Sequence, residues 1–383
     1  MRKLYEEDPY LTTFSAVVQS CAQGKKGWDI VLEQTAFYPE GGGQPYDKGV
    51  LGDANVLEVH ERDGLVVHTC DAPLPVGGQV SGAIDWPRRF DLMQHHSGEH
   101  IVSGIAHAKW GCDNVGFHMG ADVITIDLNT VIDEAQLQAL EEEVNRYLWA
   151  DAPVEITYPS PEELEKLEYR SKKALTGRVR IVSFPGADVC ACCGTHVSSA
   201  GQVGLVKLLS VQKFREGVRI ELICGGRAIS YMSRLLTQNR QIQNLLSAKP
   251  FETGAAVERL LSENNGLKAR LLEMENHRFA QLAQLHAGTG PLLLFEEGLS
   301  PDSLRRLCGA LSQTRNGLCA CFSGGESEGY KYALAHAGGD LRALGKAMNE
   351  ALRGRGGGKP DFLQGSVQAG REEIEGFFAK NAQ

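Results

Sequence analysis

Over the first ninety residues, short apolar runs alternate with Gly, Pro, Asn and Asp: Ser15-Ala16-Val17-Val18, Trp28-Asp29-Ile30-Val31-Leu32, Gly49-Val50-Leu51, Val56-Leu57-Glu58-Val59-His60 and Leu65-Val66-Val67-His68. Runs of this length, bounded by turn formers, predict a small antiparallel barrel or sandwich. The period then changes. Between residues 92 and 108 apolar positions recur at helical spacing (Leu92, Ile101, Ile105), no proline intervenes, and Gly111 stands where a helix would stop. Two strands, broken at Gly120-Ala121, are expected over 117–128, and an amphipathic helix over 134–149 with Leu137, Leu140, Val144 and Leu148 inward. Ser160-Pro161-Glu162-Glu163 predicts a capping box with proline in the first turn of a short helix. Strands over 178–184, 203–209 and 218–224 complete an α+β pattern.

From residue 227 to about 285 the spacing is helical throughout. Met232, Leu235, Leu236, Asn239, Ile242, Leu245 and Leu246 mark one face, Lys249-Pro250 interrupts, and Val257, Leu260, Leu267, Leu271 and Met274 mark a second. Polar interruptions argue against a long parallel coiled coil and for a helical hairpin or spacer. The last hundred residues alternate strand-like runs (292–295, 317–322, 330–335) with helical ones (301–315, 341–352), the pattern of a small α/β domain. The expectation is therefore an α+β multidomain chain: an N-terminal antiparallel β-barrel over 1–90, an α+β domain over 91–226, a helical spacer over 227–288 and a small C-terminal α/β domain over 289–383.

Composition changes this picture little. A chain of 383 residues, 42% apolar and 23% charged, is ordinary for a globular protein and long enough for several cores. No apolar run reaches the roughly 18 residues of a membrane span. The start, Met1-Arg2-Lys3-Leu4-Tyr5-Glu6-Glu7-Asp8, turns acidic where a signal peptide would be apolar. Ten cysteines without a repeating framework read as reduced thiols, so the expected compartment is cytoplasmic, with no membrane partner. A formal charge of −9 argues against a uniformly cationic surface. Local basic stretches remain: Lys166, Arg170, Lys172, Lys173, Arg178 and Arg180 in one, and Arg342, Lys346, Arg353, Arg355 and Lys359 in another.

Two segments carry candidate chemistry. In Gln94-His95-His96-Ser97-Gly98-Glu99-His100, His96 and His100 lie four apart on the expected helix, close enough to share a cation. In Cys190-Ala191-Cys192-Cys193-Gly194-Thr195-His196, Cys192 and His196 repeat that spacing beside a glycine that permits a sharp turn. Imidazole and thiolate are the donors zinc prefers, so His96, His100, Cys192 and His196 form the expected zinc set. Cys190 and Cys193 also make a Cys-x-x-Cys pair, without a second one to complete a four-thiolate site. The Gly41-Gly42-Gly43 run predicts either a flexible hairpin loop or close backbone approach to a ligand or strand.

Together these motifs resemble the editing half of alanyl-tRNA synthetase and its free-standing relatives, the long-form alanyl-tRNA editing proteins. The resemblance rests on Thr35-Ala36-Phe37-Tyr38-Pro39-Glu40-Gly41-Gly42-Gly43-Gln44, the His96/His100 pair, Cys192-Cys193-Gly194-Thr195-His196-Val197, and Gly354-Arg355-Gly356-Gly357-Gly358-Lys359-Pro360-Asp361, in the family's order over nearly the whole chain. Cys193 departs from it by standing where the family has glycine. With only a short stretch before Thr35, the resemblance implies editing without aminoacylation.

It further implies hydrolysis of the ester joining serine, and also glycine, to alanine tRNA, because a pocket for alanine rejects such amino acids weakly. Zinc would either activate water with three ligands bound or organise the site with all four. Thr35 would lie near the bound amino acid, its hydroxyl toward a serine side chain, with Gln44 close by. The C-terminal domain becomes a binder of the tRNA body, and the cations expected to meet tRNA are Lys172, Lys173, Arg178, Arg353, Arg355 and Lys359. A homodimer would form through the helical spacer or the C-terminal domain. Two rivals stand beside this reading: a zinc esterase acting on a small molecule, and a non-catalytic tRNA-binding protein with a structural zinc.

Overall fold

The alternating runs of the first ninety residues form six antiparallel strands: β1 (Thr13–Gln23), β2 (Trp28–Leu32), β3 (Gly49–Leu51), β4 (Ala54–Arg62), β5 (Leu65–Cys70) and β6 (Gln79–Ile84). Their order, β1-β2-β5-β4-β3-β6, closes because β6 pairs back onto β1, with Ser15 opposite Ser81. Closure leaves no open edge. Val18, Ile30, Leu32, Phe37, Leu51, Val59 and Val66 fill this core. This is a computed structural model that describes residues 1–171 and 178–381. The chain divides into two compact units, Met1–Arg240 and Gln241–Gln383.

Helix α1 (Trp86–Trp110) leaves the barrel directly. Asp85 caps it by accepting from the Arg88 N–H, Pro87 occupies its first turn, and Gly111 ends it in the left-handed conformation (φ 62°). It is longer at both ends than its apolar spacing indicates, since caps rather than periodicity set the limits. Strands β7 (Asn114–Met119) and β8 (Ile124–Leu128) follow. Helix α2 (Glu134–Trp149) then buries Leu137, Leu140, Val144 and Leu148, behind a capping box of Asp133 and Gln136.

A small sheet joins β9 (Glu155–Thr157), β10 (Ile181–Phe184) and β11 (Asp188–Ala191) in that order. Strands β12 (Val206–Phe214) and β13 (Gly217–Cys224) complete a second sheet, β12-β13-β8-β7. The first starts later than the sequence suggests because Ala200–Val203 coils into a 3-10 turn. Leu92, Met93, Ile101 and Val102 of α1 pack with Ile126, Ile220 and Leu222 in one core.

Helix α3 (Gly225–Leu246) carries the chain across the boundary between units. In the second unit α4 (Thr253–Leu285) precedes β14 (Leu292–Phe295), α5 (Pro301–Thr314), β15 (Cys319–Gly325), β16 (Gly329–Ala335), α6 (Arg342–Ala351), β17 (Arg355–Lys359), β18 (Phe362–Val367) and α7 (Arg371–Asn381). The sheet order is β14-β15-β16-β18-β17. Leu304, Leu307 and Leu311 of α5 with Phe279 of α4 form one core, and Met348, Ile374 and Phe378 of α6 and α7 belong to another. The glycines between Arg355 and Lys359 form edge strand β17. Gly356 and Gly358 are needed there because a Cβ on either would run into β18 backbone.

Candidate metal centre

Successive helical turns of α1 put His96 and His100 on one buried face, beside His196 and Cys192 from the loop after β11. The ligating atoms of these four lie within 4.8 Å of one another. The Cys192 sulfur is 3.5 Å from His96 Nε2 and 3.3 Å from His196 Nε2. A soft, four-donor cluster of this composition fits zinc.

The outer nitrogens fix the tautomers. His96 Nδ1 donates to Gln44 Oε1 (2.8 Å), and that oxygen also accepts from the Thr195 backbone N–H (3.1 Å), which sets the orientation of the amide. Gln44 Nε2 then donates to Thr195 Oγ1 at 2.8 Å. His100 Nδ1 donates to Asp188 Oδ2 (2.8 Å), and Arg170 clamps the same carboxylate through Nε (2.7 Å) and Nη2 (2.8 Å). Ser97 Oγ lies 3.2 Å from His196 Nδ1. With each Nδ1 so engaged, the Nε2 lone pairs face the cluster.

Electrostatics support the donor set. Burial opposes ionisation of Cys192, but its interactions with His96, His196 and His100, the last including a hydrogen bond, outweigh it and hold the thiol well below its ordinary range. Burial also works against the Asp188 carboxylate, yet the hydrogen bonds from His100 and Arg170 keep it below the usual carboxylate value.

Glycines make room for this packing. A Cβ on Gly194 would enter the His96 ring, one on Gly98 would meet Cys224, and one on Gly104 would meet the backbone of Ala187. The Gly41-Gly42-Gly43 run is an ordered hairpin turn: Gly42 (φ 60°) and Gly43 (φ 87°) are both left-handed, and Gly41 and Gln44 exchange backbone bonds of 3.1 and 2.9 Å. This turn delivers the fully buried Gln44 to His96.

The remaining predicted residues divide. Thr35 is fully buried in the barrel; its hydroxyl pairs with His68 Nε2 (2.8 Å) and accepts from the Phe37 N–H (3.1 Å). Because His68 Nδ1 donates to the Ile30 carbonyl (3.1 Å), Nε2 accepts from Thr35. Burial depresses the His68 pKa to about 4. Cys190 belongs to a neighbouring group with His100 and Asp188, while Cys193 is exposed and belongs to no donor cluster among the described residues. His95 faces away from the cluster and accepts the Cys224 N–H through Nε2 (3.1 Å).

Of the expected tRNA contacts, Lys172 and Lys173 lie outside the described residues. Arg178 is exposed with its guanidinium 3.9 Å over the Tyr158 ring. Arg353 is paired with Glu373 (2.9 Å), and Arg355 and Lys359 are exposed on β17. Arg170 and Arg180, part of the same basic run in sequence, turn inward. Arg180 Nη1 donates to the carbonyls of Cys192 (2.7 Å) and Gly194 (2.9 Å), holding the ligand loop.

Sequence reasoning missed Asp188, Ser97, Thr195 and the buried Asp47–Arg89 pair. Arg89 Nε lies 2.9 Å from both Asp47 oxygens, and its Nη2 reaches the Ala36 carbonyl at 2.6 Å, tying the barrel loop to α1. For Arg89, a charged residue one turn before Leu92 and Met93 on α1 was the available signal.

Comparison with known proteins gives two family matches: class II (A) tRNA synthetases over residues 9–88, and the threonyl and alanyl tRNA synthetase second additional domain over residues 179–221. The alanyl-tRNA editing protein Aarsd1 of Mus musculus is 29% identical over 391 residues, spanning 96% of this chain and 94% of that protein. The alanyl-tRNA editing protein AlaX-L of Pyrococcus horikoshii is 29% identical over 401 residues, spanning 98% and 96%. The alanine–tRNA ligase of Thermofilum pendens is 32% identical over 393 residues, 96% of this chain but 42% of the ligase.

Proposed function

The chain belongs to the alanyl-tRNA editing family, and on that premise we propose that it is a hydrolase that removes serine, and also glycine, from mischarged alanine tRNA. The observation that carries the reading is the convergence of His96, His100, Cys192 and His196, with each imidazole held through its outer nitrogen. Zinc held by these residues would supply Lewis-acid chemistry with three of them bound, or organise the site with all four.

The chain's own residues supply orientation and exclusion of water. Gln44, Asp188 and Ser97 are positioning residues that fix His96, His100 and His196. Phe117 stacks on His96 at 5.6 Å between ring centroids, and Phe184 flanks His100 and His196 at 5.8 Å. These apolar walls strengthen the electrostatics of a reacting ester. Thr35 is the candidate for recognising serine. Its hydroxyl oxygen has two lone pairs, of which the Phe37 N–H takes one, leaving one to accept from a serine hydroxyl.

The division of labour follows the sequence: residues 1–90 and 91–226 form the hydrolytic part, 227–288 the spacer and 289–383 the part that holds the tRNA body. Lys172, Lys173, Arg178, Arg353, Arg355 and Lys359 are the proposed phosphate contacts. For Arg178 the support is its exposure; for Arg355 and Lys359 it is their place on an edge strand bare of other side chains.

Deacylation of Ser-tRNA(Ala) by the purified protein, with and without a chelator, tests the reading. Hydrolysis lost on chelation and restored by zinc is expected. Tight tRNA binding without hydrolysis in the zinc-loaded protein would make it a non-catalytic binder instead. Thr35→Val should slow Ser-tRNA(Ala) more than Gly-tRNA(Ala); equal losses would assign Thr35 to the barrel alone.

A further inference from the structure

Among the four proposed ligands Cys192 alone is not buried, and Cys193 next to it is exposed, so a substrate meets the cluster at the ligand loop. The cavity that touches Asp188 and Cys190 lies behind His100, against the carboxylate that holds its outer nitrogen. A second cavity, of about 620 Å³, is lined by Lys3, Glu6, Glu7, Ile156, Tyr158 and Arg178. Two backbone connections put it beside the candidate site. Lys3 pairs in parallel with Thr35. Arg178 stands two residues before Arg180, which grips the carbonyls of Cys192 and Gly194, so the chain separates the two arginines by at most roughly 7 Å.

The lining suits a nucleoside better than a bare phosphate. Arg178 lays its guanidinium 3.9 Å over the Tyr158 ring. Both groups line the cavity and Arg178 is exposed, so a planar ring can continue the stack. The two cations are countered there by Glu6 and Glu7, and Lys3 is held by Glu61 at 2.9 Å, which leaves no excess positive charge for an isolated anion. Glu6 adds acceptors for a base amine or a ribose hydroxyl. The N–H groups of a guanidinium lie in its plane, so stacking on its face leaves the edge of Arg178 for the flanking phosphate.

We propose that this cavity seats the terminal adenine of the tRNA, stacked on the Arg178–Tyr158 pair, while the ribose ester next to it reaches the metal centre at the ligand loop. The proposal takes its substrate from the hydrolase reading. Every tRNA ends in adenosine and carries its amino acid on that ribose, so base and ester stay a few bonds apart. A cavity large enough for a small ligand, bordered by the neighbours of both Thr35 and the ligand loop, meets that constraint. Stacking of this kind holds the end of the chain in place and does not tell one tRNA from another.

Uncharged tRNA(Ala) with 2-aminopurine in place of its terminal adenine tests the seat without hydrolysis, because stacking quenches the fluorescence of that base. Titration with the zinc-loaded full-length protein should quench it several-fold at saturation. Arg178→Lys keeps the charge and loses the plane, and Tyr158→Leu keeps an apolar side chain and loses the ring; each should leave the fluorescence close to that of free tRNA. Both should also raise the Ser-tRNA(Ala) concentration for half-maximal hydrolysis about tenfold, the loss of one stacked base, with zinc content and circular dichroism unchanged. Fluorescence that never falls with the wild type would overturn the proposal, as would quenching retained in either variant. The hydrolase reading fails separately. Full quenching without hydrolysis of Ser-tRNA(Ala) would refute that reading and support the seat, whereas hydrolysis without quenching would do the reverse.

Discussion

At the scale of single residues, the candidate centre is decided by what each ligand's far side touches. Asp188 carries Arg170 on one side and His100 on the other, so Asp188→Asn should lower metal affinity about 10–100-fold without removing a ligand. Cys192→Ala should abolish metal binding, and Cys190→Ala should leave it largely in place. Metal analysis with a competing chelator measures both; full occupancy in Cys192→Ala would overturn the assignment. His68 shows the opposite device, a histidine kept neutral by burial. Its folded-state pKa is about 4 against an ordinary 6.5, so between those values the unfolded chain binds a proton that the folded chain does not. Stability therefore falls as pH drops from 6.5 to 4, by about 3 kcal/mol over the full window. In denaturant melts, His68→Gln should flatten that slope; an unchanged slope would remove His68 as its source.

At the scale of elements, glycine positions govern how closely backbone approaches side chain. Gly194 is the sharpest case, since any side chain there enters the His96 ring. Gly194→Ala should cost zinc occupancy and at least several-fold in affinity while the far-ultraviolet spectrum stays that of the wild type. Gly226→Ala, where a Cβ would meet nothing within 4 Å, serves as the control. Equal zinc content in the two variants would mean that the loop relaxes around the new methyl. The edge strand β17 uses its glycines differently, for tight pairing with β18, and leaves Arg355 and Lys359 exposed at its two ends.

At the scale of the whole molecule, the proposed ligands and Thr35 belong to the first compact unit, while Arg353, Arg355 and Lys359 belong to the second. Phosphate contacts by such cations release counterions, so their affinity falls as salt rises. Ending the chain after Ser247, between α3 and α4, should raise the tRNA concentration for half-maximal hydrolysis and flatten its salt dependence, with the saturated rate changed much less. Equal tRNA affinity of the shortened and full-length proteins at every salt concentration would end the two-anchor reading. Among the described residues no helix is long and apolar enough to cross a membrane.

Local interactions made much of this protein legible in its sequence. The period of apolar residues marked α1 and α2, Gly111 marked where α1 stops, and the four-residue spacing of His96/His100 and Cys192/His196 marked donors that the fold brings together. Long-range contacts had no such trace. That β6 returns to β1, that Asp188 supports His100 across 88 residues, and that Gln44 reaches His96 across 52 are consequences of packing. The basic run at 166–180 gives the clearest lesson. Charge alone grouped these residues as one basic stretch, but Arg170 and Arg180 turn inward because buried Asp188 and the carbonyls of the ligand loop need donors, while Arg178 stays outside. Sequence determines which groups carry charge; only the tertiary structure decides which of them must be satisfied in the interior, because that depends on neighbours far away in the chain.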